Sequence, residues 1–163
     1  MDVTKIADFI KEGAKTLNIY KWDFGASFSN DFSVQIDKGV AKQLKASQKQ
    51  VLTLRVWNDN DLVGITTTSD LSESGLKKAL FQANLASEYG NKNEKTDFSP
   101  LSKDPIKSLN TKIINPSGIK KLLTVLRIAE TNLLKKHEAI KSIPYNGLSE
   151  SFFKRVYANS DGA

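Results

Sequence analysis

The chain predicts an α/β domain of the α+β kind, a mixed, largely antiparallel sheet of about five to six strands with three main helices packed on it. Three observations predict it. Short runs of alternating apolar and polar residues are separated by turn formers. Three stretches carry apolar residues at helical spacing. The elements also come in the order helix, strands, helix, loop, helix, strand, which suits helices laid on a sheet. With 163 residues, 39% of them hydrophobic and 26% charged, residues 1–163 are read as one domain with its own core.

In the first segment Ile6, Ile10, Ala14 and Leu17 recur at helical spacing beside Phe9, with Asp2 or Thr4 as N-cap. Leu17-Asn18-Ile19-Tyr20 leads out of this helix into a strand over Trp22 to Phe28. Ser29-Asn30-Asp31 is read as a break. A second strand follows, with Phe32, Val34 and Ile36 on one face. Asp37-Lys38-Gly39 forms the turn into Val40 to Ser47, Gly39 supplying a positive φ at little cost. Val51 to Trp57 and Leu62 to Thr67 make the strongest hairpin signal, joined by Asn58-Asp59-Asn60-Asp61.

Ser72 is the N-cap of a second helix whose stripe is Leu76, Ala79, Leu80, Ala83 and Ala86. The polar stretch from Gly90 to about Thr111, with Pro100 and Pro105, reads as a long surface connection. Asn115-Pro116 then opens the third helix, with Asn as cap, Pro at the first helical position, and Ile119, Leu122, Leu123, Leu126, Ala129, Leu133 and Leu134 buried. After Pro144-Tyr145-Asn146-Gly147, a last strand runs over Phe152 to Tyr157.

The absence of cysteine excludes a disulfide framework, a thiolate nucleophile and a Cys-based zinc site. An acid near the start and the lack of an apolar run of roughly 18 residues point to a soluble, cytoplasmic protein that neither enters nor spans a membrane. The net charge of +6 is uneven. Residues 1–100 carry 13 Lys/Arg against 13 Asp/Glu, and residues 101–163 carry 11 against 5. Such a basic third can attract nucleic acid or an acidic partner. The same count arises from the solvent face of a core-packed helix, on which Lys120, Arg127, Lys135 and Lys136 would lie.

No motif supplies a self-contained active site. His137-Glu138 begins as a zinc-peptidase helix does, but the positions where a second histidine is needed are Lys141 and Ser142, and no other histidine exists. Asp59-Asn60-Asp61, with Gly64 and Asp70, matches fragments of a calcium loop, yet Val63 stands where an oxygen ligand is required and strands flank it. Ser160 has neither a nucleophile elbow nor a base. No catalytic, cofactor-binding or metal residue is therefore assigned.

Several segments, in order, resemble the N-terminal domain of the TldD/PmbA family: Ser33 to Gly39, Leu44-Lys45-Ala46-Ser47, Leu54-Arg55-Val56-Trp57, Gly64 to Ser72 and Ala79 to Ala86. Asn159-Ser160-Asp161-Gly162 resembles a strand end in that family. Thr67 to Ser72 and Asp97-Phe98-Ser99-Pro100-Leu101 are nearer the PmbA branch than the TldD branch. The resemblance implies relationship to zinc-dependent peptidases and their paired subunits, also known as modulators of DNA gyrase, which process small peptides and antitoxins and form dimers. Their His-Glu-x-x-x-His motif lies downstream of the Asn-Ser-Asp-Gly segment, so His137 is not its counterpart and no zinc ligand carries over. Members are longer, which implies a fragment or truncated member without the C-terminal metallopeptidase-type domain.

The expected role is accordingly a structural and dimerisation domain, inactive alone and without a cofactor of its own. Its partners would be a second copy or a TldD-type subunit, with a peptide as substrate of the assembly. The alternative is a nucleic-acid-associated module that uses the basic C-terminal third.

Overall fold

The computed structural model describes residues 3–91, 96–103 and 114–162. The helices are α1 (Val3–Thr16), α2 (Glu73–Ser87) and α3 (Gly118–Leu134); the strands are β1 (Lys21–Asp37), β2 (Val40–Trp57), β3 (Val63–Thr68) and β4 (Gly147–Asn159), with a 3-10 turn at Pro100–Lys103. The strand order is β3-β2-β1-β4, and β2 pairs antiparallel with β3 from Leu52 opposite Thr68 to Trp57 opposite Val63. The α+β class stands, with four strands among the described residues where five to six are expected.

Two pairs of expected strands are continuous. Ser29-Asn30-Asp31 does not break β1, because Asp31 accepts hydrogen bonds from the Ser29 and Ser47 hydroxyls and the chain stays extended. Gln48-Lys49-Gln50 likewise stays within β2. Polar residues in a strand interrupt the hydrophobic pattern without interrupting the backbone ladder. The chain divides into two compact units, residues 1–28, 50–110 and 155–163 forming one and residues 29–49 and 111–154 the other. The breaks in the apolar pattern thus fall where β1 and β2 pass from one unit to the other.

In the first unit α1 and α2 cover one face of the strands. Ile6, Ile10 and Ala14 of α1 and Leu76, Leu80 and Ala83 of α2 bury against Trp22, Phe24, Leu52, Leu54, Val56 and Ala158. Trp22 and Phe24 stack with centroids 6.3 Å apart. Thr4 lies inside α1 rather than capping it, and Asp2 falls outside the described residues. Asn18, at φ 57°, closes α1, and the Ile19 N–H returns to the Ala14 carbonyl at 2.8 Å. Ser72 caps α2 as its sequence predicts, its hydroxyl accepting the Gly75 N–H at 3.1 Å. The Asn58 side chain folds the β2–β3 turn by accepting from the N–H groups of Asn60 and Leu62. Asp59 to Asp61 are therefore a hairpin tip. In the Gly90 to Thr111 connection, residues 96–99 carry no regular structure and Pro100–Lys103 the 3-10 turn, while residues 92–95 and 104–111 fall outside the described residues.

The second unit has a smaller core, in which Val34 and Ile36 meet Leu122 and Leu126, with Phe32, Ile119, Leu123 and Leu148 packed around them. Lys38 and Gly39 both have positive φ, 49° and 77°, as a two-residue hairpin turn requires. Helix α3 starts later than its Asn-Pro signal: Ser117 is the N-cap, and Gly118 has φ 77°. The Ser117 N–H is taken by the Glu150 carboxylate at 2.6 Å, so Asn115 and Pro116 precede the helix. Ala129 and Leu133 are exposed, and the buried place between them belongs to Glu130.

Candidate functional site

Alternation along a strand sends successive side chains to opposite faces. In the first unit Trp22 and Phe24, Leu54 and Val56, and Val156 and Ala158 turn toward the helices, so Asp23, Arg55 and Tyr157 share the other face. They meet there. Arg55 Nε donates to Asp23 Oδ1 at 2.8 Å, and Arg55 Nη2 makes a short contact with Asp23 Oδ2. The Tyr157 hydroxyl donates to the same Oδ2 at 3.1 Å. One carboxylate on β1 thereby ties together β2 and β4, its two neighbours in the sheet.

Asp23 is 3% exposed and Arg55 about a third, so this pair is sheltered at the carboxylate and open at the guanidinium. The side-chain bonds to Asp23 hold the Arg55 guanidinium above its ordinary pKa, against the opposing effect of burial. Burial raises the Tyr157 phenol; the Asn159 side chain opposes that shift and the Asp23 charge adds to it. Both groups stay protonated at neutral pH. Both oxygens of the Asp23 carboxylate are engaged, one by the arginine and one by the arginine and the phenol, and the trio works as a cross-strand clasp.

Next to the clasp lies an aromatic and cationic platform. The Arg55 guanidinium stands 5.1 Å from the Trp57 ring centroid, and Lys21 Nζ is 5.0 Å from Trp57 and 5.1 Å from Phe98. Phe98 meets Trp57 edge-on at 5.1 Å, Trp57 Nε1 donates to the Thr96 carbonyl at 2.9 Å, and Lys21 pairs with Asp97 at 2.6 Å. Residues 96–98 are thus pinned over the end of β2. A pocket of about 400 Å³ opens here, lined by Lys21, Asp97, Phe98, Pro100, Ser102 and Asp161. The Ser102 hydroxyl there is buried and has no hydrogen-bond partner among the described residues. With Trp57 buried and Lys21 paired to Asp97, these groups anchor the segment 96–98 to the sheet.

The residues weighed from sequence lie elsewhere. His137 and Glu138 are exposed, and His137 Nδ1 accepts the Ala139 N–H at 3.1 Å. Among the described residues no three His, Cys, Asp or Glu side chains are placed to hold a metal. The Ser160 hydroxyl accepts the Trp22 N–H at 3.4 Å, a strand-end contact. Lys120, Arg127, Lys135 and Lys136 are exposed, and Arg127 Nε donates to the Gly39 carbonyl at 3.0 Å. No helix of the described residues is long and apolar enough to cross a membrane.

Sequence reasoning missed the clasp. Its signal was a charge at an outward position of an apolar strand, Asp23 between Trp22 and Phe24 and Arg55 between Leu54 and Val56. Pairing them with Tyr157 requires the strand order.

Residues 22–85 match the family described as PmbA/TldA metallopeptidase domain 1. That span holds two of the three clasp residues and the platform's Trp57. Three solved structures share the fold across nearly the whole chain. A candidate modulator of DNA gyrase from Bacteroides thetaiotaomicron is 16% identical over 98% of this chain, with a TM-score of 0.66. TldE from Thermococcus kodakarensis is 15% identical over 96%, with a TM-score of 0.65, and a candidate modulator of a DNA gyrase from Thermotoga maritima is 14% identical over 99%, with a TM-score of 0.64. The chain spans 37%, 35% and 36% of those chains, respectively. No curated protein matches it.

Proposed function

We propose that the chain is an N-terminal domain of the TldD/PmbA family, and that it serves as the structural and dimerisation domain of a peptidase assembly acting on small peptides in the cytoplasm. Bond cleavage in that assembly is assigned to residues outside this chain. The observation that carries the reading is the match of residues 22–85 to the first domain of a metallopeptidase, in a sequence whose one histidine and zero cysteines cannot supply a His-Glu-x-x-x-His site. The clasp of Asp23, Arg55 and Tyr157 supports it, because those groups are engaged with one another and stiffen three strands. Any zinc belongs to the assembly, and the partner is a second copy or a TldD-type subunit.

Two measurements on the chain by itself test this. Sedimentation at micromolar concentration is expected to give a dimer, and a monomer at every concentration would remove self-association. Incubation with unstructured peptides is expected to give no cleavage, and chelator-sensitive turnover would defeat the framework role.

A further inference from the structure

Helix α3 carries an inner apolar row and an outer row with an aliphatic pair at its centre. The inner one, Leu122 and Leu126 flanked by Ile119 and Leu123, packs on Val34 and Ile36. The outer one follows the sequence spacing Lys121, Val125, Ile128, Asn132, which places these residues one above another on a helix. Val125 is 48% and Ile128 57% exposed. Solvent-facing aliphatic neighbours on a helix that has already buried another face mark a surface suited to a partner.

The charges around this row have one sign. Lys120, Lys121 and Arg127 are exposed on the helix, and Lys135 and Lys136 follow at its end. The one carboxylate within α3, Glu130, is turned inward to the backbone of Lys38 and Gly39. The unit that holds α3 has twelve Lys/Arg against five Asp/Glu, whereas the rest of the chain has twelve against thirteen. The unit's carboxylates are mostly engaged internally. Asp31 accepts from Ser29 and Ser47, Asp37 lies 3.5 Å from Lys42, and Glu150 accepts from Ser117. Among the described residues of this unit, Glu138, beyond the helix end, is the one exposed acid.

An aliphatic pair framed by lysines complements a segment that has aliphatic side chains on one face and carboxylates beside them. We infer that the outer face of α3 docks an acidic amphipathic peptide helix, with its aliphatic side chains on Val125 and Ile128 and its carboxylates on Lys121, Lys135 and Lys136. A nucleic acid would satisfy the lysines but leave the aliphatic pair without an apolar partner, and α3 contains no aromatic ring on which a base could stack.

The test uses the full chain and a dye-labelled synthetic helix with leucines at i, i+3, i+4 and i+7 and glutamates elsewhere, read by fluorescence anisotropy. Saturable binding that weakens with added salt is expected, since exposed charges are screened. The double variant Val125→Ser, Ile128→Ser should retain its circular dichroism spectrum and bind at least about fivefold more weakly. Lys135→Glu with Lys136→Glu should weaken binding as well, and so should a probe in which glutamine replaces glutamate. Failure of the wild-type chain to bind, or equal affinity in the Ser double variant, overturns the inference. It is also overturned if duplex DNA or phosphatidylserine vesicles bind more tightly than the peptide and are indifferent to the Ser substitutions.

Discussion

The Glu130 carboxylate, buried in the middle of α3, accepts the backbone N–H of Gly39 at 2.6 Å, and its second oxygen accepts that of Lys38 at 3.0 Å. Arg127, one turn back, donates to the Gly39 carbonyl. The helix thus holds two N–H groups and one carbonyl of the β1–β2 turn, which explains why an acid occupies a position that the apolar stripe would otherwise fill. Glu130→Ala removes the acceptor of two N–H groups of the hairpin turn. Hydrogen bonds to charged groups are worth about 1.5–3 kcal/mol each, so a loss of roughly 3 kcal/mol in chemical denaturation is expected. Glu130→Gln keeps one acceptor and should lose less. Amide exchange at Lys38 and Gly39 should accelerate in the Ala variant, and unchanged protection there would contradict the role given to Glu130.

Gly64 of β3 faces α2 at a distance only glycine permits. A Cβ there would stand 1.9 Å from the Ala83 carbonyl oxygen and 2.5 Å from the Ser87 nitrogen, both main-chain atoms. Side chains can turn aside, but a helix backbone moves only as a body. Gly64→Ala should therefore destabilise the chain by at least about 1–3 kcal/mol, the usual range for overpacking. Gly39, whose Cβ would meet nothing within 4 Å, tests a different constraint through its φ of 77°. Thermal melts of the two Ala variants should separate a collision from a backbone preference, with Gly64→Ala the more damaging.

These two sites define what could be read from the sequence. Helix positions, the two hairpin turns, the Ser72 cap and the inward rows Leu52-Leu54-Val56 and Val34-Ile36 follow from local periodicity and turn chemistry. The count of strands does not, because Ser29-Asn30-Asp31 looks like a loop while its side chains bond within the hairpin. Glu130 reads as a solvent residue until the hairpin turn is placed against it. The clasp needs Tyr157 beside Asp23, a neighbour 134 positions away that only the order β2-β1-β4 creates. Local signals survive in a sequence; the partners of buried polar groups are set by topology.

Removing one member of the clasp should cost more than removing the ion pair whole. Arg55→Leu strands the Asp23 carboxylate, itself almost fully buried, and breaking a buried pair costs about 3–5 kcal/mol. The partial exposure of Arg55 places the expected loss at the low end of that range. Asp23→Leu with Arg55→Leu removes both charges and should recover most of the stability, less the bond from Tyr157. Denaturation of the two single variants and the double gives the coupling directly, and additive losses would mean the two side chains are energetically independent.

The clasp also predicts how stability responds to alkali. Burial, with a contribution from the Asp23 charge, raises the Tyr157 phenol above its ordinary value of 10.0 in the folded chain. The folded state therefore binds the phenolic proton more tightly than the unfolded state does. The resulting stability is fully present below the unfolded pKa and is lost as pH rises through the higher folded value. Wild type should consequently lose stability on passing from about pH 9 to above pH 10, the unfolded tyrosine range. Tyr157→Phe, which has no proton to lose there, should be about 1 kcal/mol less stable at neutral pH for want of the bond to Asp23. Its alkaline decline should be shallower than that of wild type. Other tyrosines titrate in both proteins, so the quantity to compare is the difference between the two denaturation series, which narrows as pH rises if Tyr157 is held protonated by its surroundings. A constant difference across that range would show that burial beside Asp23 does not perturb the phenol.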